Sequence, residues 1–119
     1  MRVRSVAGSR VRTGGVVFRY HDESNYYLAR ADTVEQTIEI FKVERGRRTP
    51  VGRPVRHALP PDAWRILKVS VRGNRLQVYL DHRRVLEVND LSITGPGRVG
   101  VWAEGDSVTY FDDFRVYPK

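Results

Sequence analysis

Between residues 67 and 80 the chain alternates apolar and polar side chains with few exceptions. Leu67, Val69 and Val71 are separated by Lys68 and Ser70, and after Gly73-Asn74 the apolar Leu76, Val78 and Leu80 are separated by Gln77 and Tyr79. A period of two places alternate side chains on one face of a half-buried strand, and a Gly-Asn pair between two such runs marks a hairpin. The rest of the chain follows the same rhythm. Strands are predicted over 1–6, 16–20, 26–31, 37–43, 64–72, 75–80, 85–88, 99–102 and 108–116, with a looser one over 49–57, where Pro50 and Pro54 suit a sheet edge. Val16, Phe18 and Tyr20 are placed on one face of their strand and Val17 and Arg19 on the other; Ile38 and Ile40 share a face of theirs. Polar or glycine-containing turns are predicted over 21–25, 32–36, 44–47, 81–84, 95–97 and 105–106, with a break at Pro60-Pro61-Asp62. Residues 90–94 are expected to form one short turn of helix. No stretch sustains helical periodicity. Short strands at turn spacings of about 8–12 residues predict an all-β fold of two packed antiparallel sheets.

Length and composition narrow the classes. The chain has 119 residues, 40% of them hydrophobic, which fits a single domain over 1–119 with a real core. No apolar run is long enough to span a bilayer as a helix, and MRVRSVAGSRVR at the N-terminus has no apolar signal-peptide core. The chain has no cysteine, which removes disulfides and thiolate metal sites. The formal charge is +7, carried almost wholly by arginine, since the only lysines are Lys42, Lys68 and Lys119. Such a balance admits a polyanionic partner. The arginines are nevertheless spread along the chain with no recognition helix or RNA-binding motif, which argues against nucleic acid and for solvated outer strand faces.

The segments WRILKVSVRGNRLQVYLD at 64–81, GPGRVGVW at 95–102 and DSVTYFDDFRV at 106–116 resemble the C-terminal part of a concanavalin A-like jelly roll. GGVVFRY at 14–20 and SNYYLAR at 24–30 fit the same pattern. Within that superfamily the chain is most similar to the bacterial 3-keto-disaccharide hydrolase-like domain, a relative of laminin G-like domains and of family 16 glycoside hydrolases. The resemblance implies a two-sheet jelly-roll sandwich with a ligand on the concave sheet, and a bacterial periplasmic or extracellular setting. The family carries further strands before the segment at 14–20, so the resemblance also implies a domain lacking its N-terminal strands. Uncovered edges would then favour a homo-oligomer, with residues 1–6 exchanged between copies.

The sequence offers residues relevant to three chemistries. A glycosidase requires two carboxylates flanking the scissile bond. The family 16 spacing Glu-x-Asp-x-x-Glu does not occur, and Glu35, Glu39 and Glu44 do not match it. Asp112-Asp113 offers oxygens to a structural calcium of the kind related jelly rolls hold near the C-terminal strand; the alternative is a capped turn or bulge and an arginine pair. For carbohydrate, aromatic faces that cover C–H groups and planar polar groups that bond hydroxyls are required. Arg19, Tyr27, Arg30, Glu39 and Trp102 have those properties on neighbouring strands, with Tyr26 replacing Tyr27 if the register slips by one residue; the alternative places Trp102 and one tyrosine in the core. Trp64 is assigned to the core. His21, His57 and His82 fall in predicted turns or loops, and the serines lack a base partner. The expectation is a non-catalytic carbohydrate- or glycoconjugate-binding module. The alternatives are a glycoside or 3-keto-glycoside hydrolase domain with part of its site outside this chain, and a structural or oligomerisation module.

Overall fold

The computed structural model describes residues 2–7, 13–60, 65–95, 97–104 and 108–112; for 2–7, 13, 101–104 and 108–112 the description covers the backbone alone. Its strands in chain order are β1 (Arg2–Ala7), β2 (Thr13–Asp22), β3 (Asn25–Asp32), β4 (Thr37–Glu44), β5 (Arg47–Pro50), β6 (Val55–Arg56), β7 (Arg65–Arg72), β8 (Arg75–Leu80), β9 (Arg83–Asn89), β10 (Arg98–Glu104) and β11 (Val108–Asp112). No helix occurs among the described residues. One sheet has five strands in the order β11-β1-β7-β8-β9, and the other has six in the order β10-β2-β3-β4-β5, with β6 also on β4. Every recorded pairing is antiparallel. The all-β, two-sheet antiparallel architecture expected from the alternation is therefore what the chain adopts.

The core lies between the sheets. The six-stranded sheet sends in Val16, Phe18, Tyr27, Ala29, Ile38 and Ile40, and the other sheet sends in Leu67, Leu76, Val78, Leu80 and Leu86. Full burial of each large apolar side chain is worth about 1.5–3 kcal/mol, so the alternation along β3, β4, β7 and β8 is the main determinant of the fold. Tight hairpins set the register. Arg45 and Gly46 both have positive φ, as do Asp81 and His82. Two left-handed central residues match the twist of the strands they join. Asp81 tolerates that conformation because its carboxylate accepts the Ile66 N–H at 2.9 Å and pairs with Arg65.

The local differences from the sequence reading have physical causes. The segment expected to run as one loose strand over 49–57 is two, β5 and β6, parted by Gly52 at positive φ and by Pro54. Residues 90–94 form no helical turn; Asp90 instead folds its carboxylate back onto the Ser92 N–H at 2.8 Å. His21, expected in a turn, extends β2 and donates Nε2–H to the Thr94 carbonyl at 3.1 Å. The turn expected over 81–84 is confined to Asp81 and His82. The last strand is described only to Asp112, so 113–116 lies outside the described residues, as does Trp64.

Candidate functional site

On the outer face of the six-stranded sheet the pairing registers align one residue from each of three strands. Gly15 on β2 faces Arg30 on β3, and Arg30 faces Glu39 on β4. Trp102 on β10 takes the register position opposite Gly15; its side chain lies outside the described part of the chain. Gly15 is required there by close approach, because a Cβ would sit 2.2 Å from the Ala29 carbonyl oxygen and 3.1 Å from Leu28 Cδ1.

Arg30 and Glu39 form a salt bridge, with side chains only 12% and 14% exposed. Thr37 donates its hydroxyl to the other Glu39 oxygen at 3.3 Å. The Arg30 guanidinium also lies 4.6 Å from the centre of the Phe41 ring, and Arg48 approaches the same ring at 5.0 Å. Phe41, two residues beyond Glu39, and Arg48, opposite Val43 across the Arg45-Gly46 turn, thus extend the same face. Farther along it Tyr20 and Tyr26 pack ring against ring at 5.4 Å. The arrangement combines a planar cation fixed by a carboxylate with aromatic surface. These groups can bond vicinal hydroxyls and cover C–H groups of a sugar.

Of the sequence-derived candidates, the structure brings together Arg30 and Glu39. Two others turn inward. Tyr27 is fully buried, and its ring stacks on Phe18 at 5.3 Å. Its hydroxyl donates to Asp90 Oδ1 at 2.5 Å and accepts the Ile93 N–H at 3.2 Å. Burial, followed by the bond to Asp90, pushes the Tyr27 hydroxyl up to about 12. Tyr26, the alternative, occupies the outward position. Arg19 was expected outward with Val17, but its φ of 47° breaks the alternation, and the β2–β3 register shifts between Phe18 and Asp22. Its guanidinium therefore donates to the carbonyls of Ile93 at 3.2 Å and Gly73 at 2.9 Å, tying the two sheets together at one end. Tyr20 is carried to the opposite face from Phe18 by the same kink. Phe41 and Arg48 were missed, although the parity of 37–43 already set Phe41 beside Glu39.

Asp112 ends β11 in register with Arg2, but its side chain and Asp113 lie outside the described residues. Among the described residues no cluster of three or more His, Asp or Glu could hold a metal ion. No helix among them is long and apolar enough to cross a membrane.

No family model matches the chain. A levanase from Bacillus subtilis (strain 168) is 32% identical over an alignment of 94 positions that covers 75% of this chain and 13% of that protein. Among solved structures, the carbohydrate binding module CBM66 from Bacillus subtilis superposes with a TM-score of 0.80 at 26% identity, over 91% of this chain and 66% of that one. The chain thus spans a small part of the levanase's length and about two thirds of the module's.

Proposed function

We propose that the chain is a non-catalytic carbohydrate-binding module whose ligand lies on the outer face of the six-stranded sheet, around Arg30, Glu39 and position 102. The observation that carries this reading is the structural likeness to a carbohydrate binding module over 91% of the chain. The Arg30–Glu39 pair on one face of that sheet supplies the matching chemistry. Similarity to one segment of a levanase fits a module attached to a larger enzyme and makes levan the first glycan to test.

The two carboxylates of this face whose side chains are described, Glu39 and Asp32, also favour binding over hydrolysis; Glu104 shares the face by register, with its side chain outside the described residues. A glycosidase needs one carboxyl group to donate a proton and another to act as base or nucleophile. Here Glu39 is paired with Arg30, and Asp32 accepts the N–H groups of Val34 and Glu35 at 2.9 and 3.1 Å. Both are engaged in holding structure.

The test is titration calorimetry with levan and a panel of neutral oligosaccharides, comparing the parent with Arg30→Lys and Trp102→Ala. Lysine keeps the charge but loses the planar fork, so at least about a tenfold loss of affinity is expected, or about 1.4 kcal/mol. If both variants bind like the parent, the ligand lies elsewhere. If the parent binds no glycan, the reading fails.

A further inference from the structure

The outer face of the five-stranded sheet carries a different surface. Its outward positions form three cross-strand rows over β7, β8 and β9. The first is Lys68, Tyr79 and Arg84; the second is Gln77 and Glu87, beside the buried Ser70; the third is Arg72, Arg75 and Asn89. Glu87 is the only carboxylate on these three strands, against four outward cations in the rows. It lies at 3.8 Å from Arg75 and 3.7 Å from Arg84, whose side chains remain 61% and 55% exposed. Arg72 directly faces Arg75. Like charges placed opposite each other destabilise a sheet, and an anion lying across the pair would reverse the sign of that interaction.

We propose that this face is a second binding site, for an acidic polysaccharide carrying carboxylate groups. Rows one and three supply the cations. They stand four residues apart along β7, about 13 Å, so they would meet separate charges on an extended chain. Between them lies an ordered polar row. Tyr79 donates its hydroxyl to Gln77 Oε1 at 3.4 Å, and Gln77 donates its amide to Glu87 at 2.7 Å. Such groups match the hydroxyls of a sugar between its charges. Guanidinium forks are suited to carboxylates.

Other polyanions fit this face less well. Single-stranded nucleic acid is held by stacking bases on open aromatic faces, whereas Lys68 Nζ covers the Tyr79 ring at 4.9 Å. The pleated face presents no helix or ribbon to enter a duplex groove. A membrane surface would ask for exposed apolar side chains beside the cations, and among the described residues the exposed large hydrophobics, Val34, Leu91 and Val99, lie outside these rows.

The proposal stands apart from the carbohydrate site on the other sheet and is tested separately. Polygalacturonate binding is measured at low and at high salt for the parent and two double variants. Arg72→Ser/Arg75→Ser removes the facing pair. Arg53→Ser/Arg56→Ser removes the same charge from exposed positions between β5 and β7. Parent binding is expected at low salt and its loss near 0.5 M salt is expected from screening. The first variant should bind at least about tenfold more weakly, and the second should change by less than about twofold. Equal loss in both variants would reduce the effect to net charge and overturn the proposal. So would failure of the parent to bind polygalacturonate at low salt, or equally tight binding of duplex DNA through Arg72 and Arg75. Thermal midpoints within a few degrees of the parent show that each variant is folded.

Discussion

On the outer face of the six-stranded sheet, Arg30 is matched by Glu39, rests against Phe41 and is largely withdrawn from solvent. On the outer face of the five-stranded sheet, Arg72 faces Arg75, and Arg75 and Arg84 share one distant carboxylate. The two faces draw on the same residue type, and what separates them is the neighbour across the strand. A cation held by a carboxylate over an aromatic ring has one orientation and can select among uncharged hydroxyl patterns. Cations set against one another attract charge without selecting shape closely. The first arrangement is suited to a neutral glycan and the second to an extended anion.

The largest expected effect breaks the aligned row itself. Gly15→Ala would drive a Cβ to 2.2 Å from the Ala29 carbonyl oxygen, a backbone atom that cannot move aside cheaply. We expect a loss of about 3 kcal/mol in urea unfolding, at the upper end for overpacking. Gly97 offers a second example of close approach, since its Cβ would meet the Arg19 and Tyr20 backbone at 2.5–2.8 Å. An unfolding midpoint unchanged in Gly15→Ala would show that β2 and β3 are not registered as described, and the row with Arg30 would dissolve.

A smaller effect contrasts the two faces directly. Glu39→Gln removes the carboxylate charge that pairs with the largely buried Arg30, and breaking a fully buried pair costs about 3–5 kcal/mol. With side chains 12% and 14% exposed, and an amide oxygen still present to accept a bond, about 2 kcal/mol is expected. Glu87→Gln alters an exposed, long-range pairing and should stay within about 0.5 kcal/mol. Equal costs at the two positions would erase the physical difference between the faces.

How much of this was legible beforehand depends on the residue. Alternation placed Leu67, Leu76, Val78, Ile38 and Ile40 in the core, because burial follows period two wherever a strand is straight. It also put Glu39 and Arg30 on facing strands. Arg19 was misplaced, since nothing in GGVVFRY signals a non-glycine residue at φ 47°. The kink is fixed by partners 54 and 74 residues away, Gly73 and Ile93. The choice between Tyr26 and Tyr27 was open for a related reason: both suit a strand, and the inward ring is held by distant partners, the Asp90 carboxylate and the Ile93 N–H. Long-range polar partners have no local pattern, and they are what separated the candidate list from the site.

The two faces keep their distinct characters only while the sandwich between them stays closed, and Tyr27 and Asp90 form one of its fastenings. The loop after β9 is held through the Tyr27 hydroxyl, which bonds Asp90 and receives the Ile93 N–H. Lys42 adds a bond to Ser92 at 2.7 Å and lies 3.6 Å from Asp90. Tyr27→Phe keeps the buried ring but removes both hydroxyl bonds, so a cost of about 1–2 kcal/mol is expected. The pH dependence should change at both ends. Burial alone would raise the Asp90 carboxyl, but the Tyr27 hydroxyl, the Ser92 groups and Lys42 hold it below its ordinary 3.8. Its stabilising contribution is present above 3.8 and is lost as pH falls through the lower folded value. Tyr27 is shifted the other way, from 10.0 to about 12, so its contribution is present below pH 10 and is lost as pH rises through about 12. In Tyr27→Phe the alkaline loss from this residue should vanish and the acid loss should become shallower. Urea midpoints measured from pH 2.5 to 11.5 test both limbs, and parallel curves for parent and variant would show that this hydroxyl does not join the sheets.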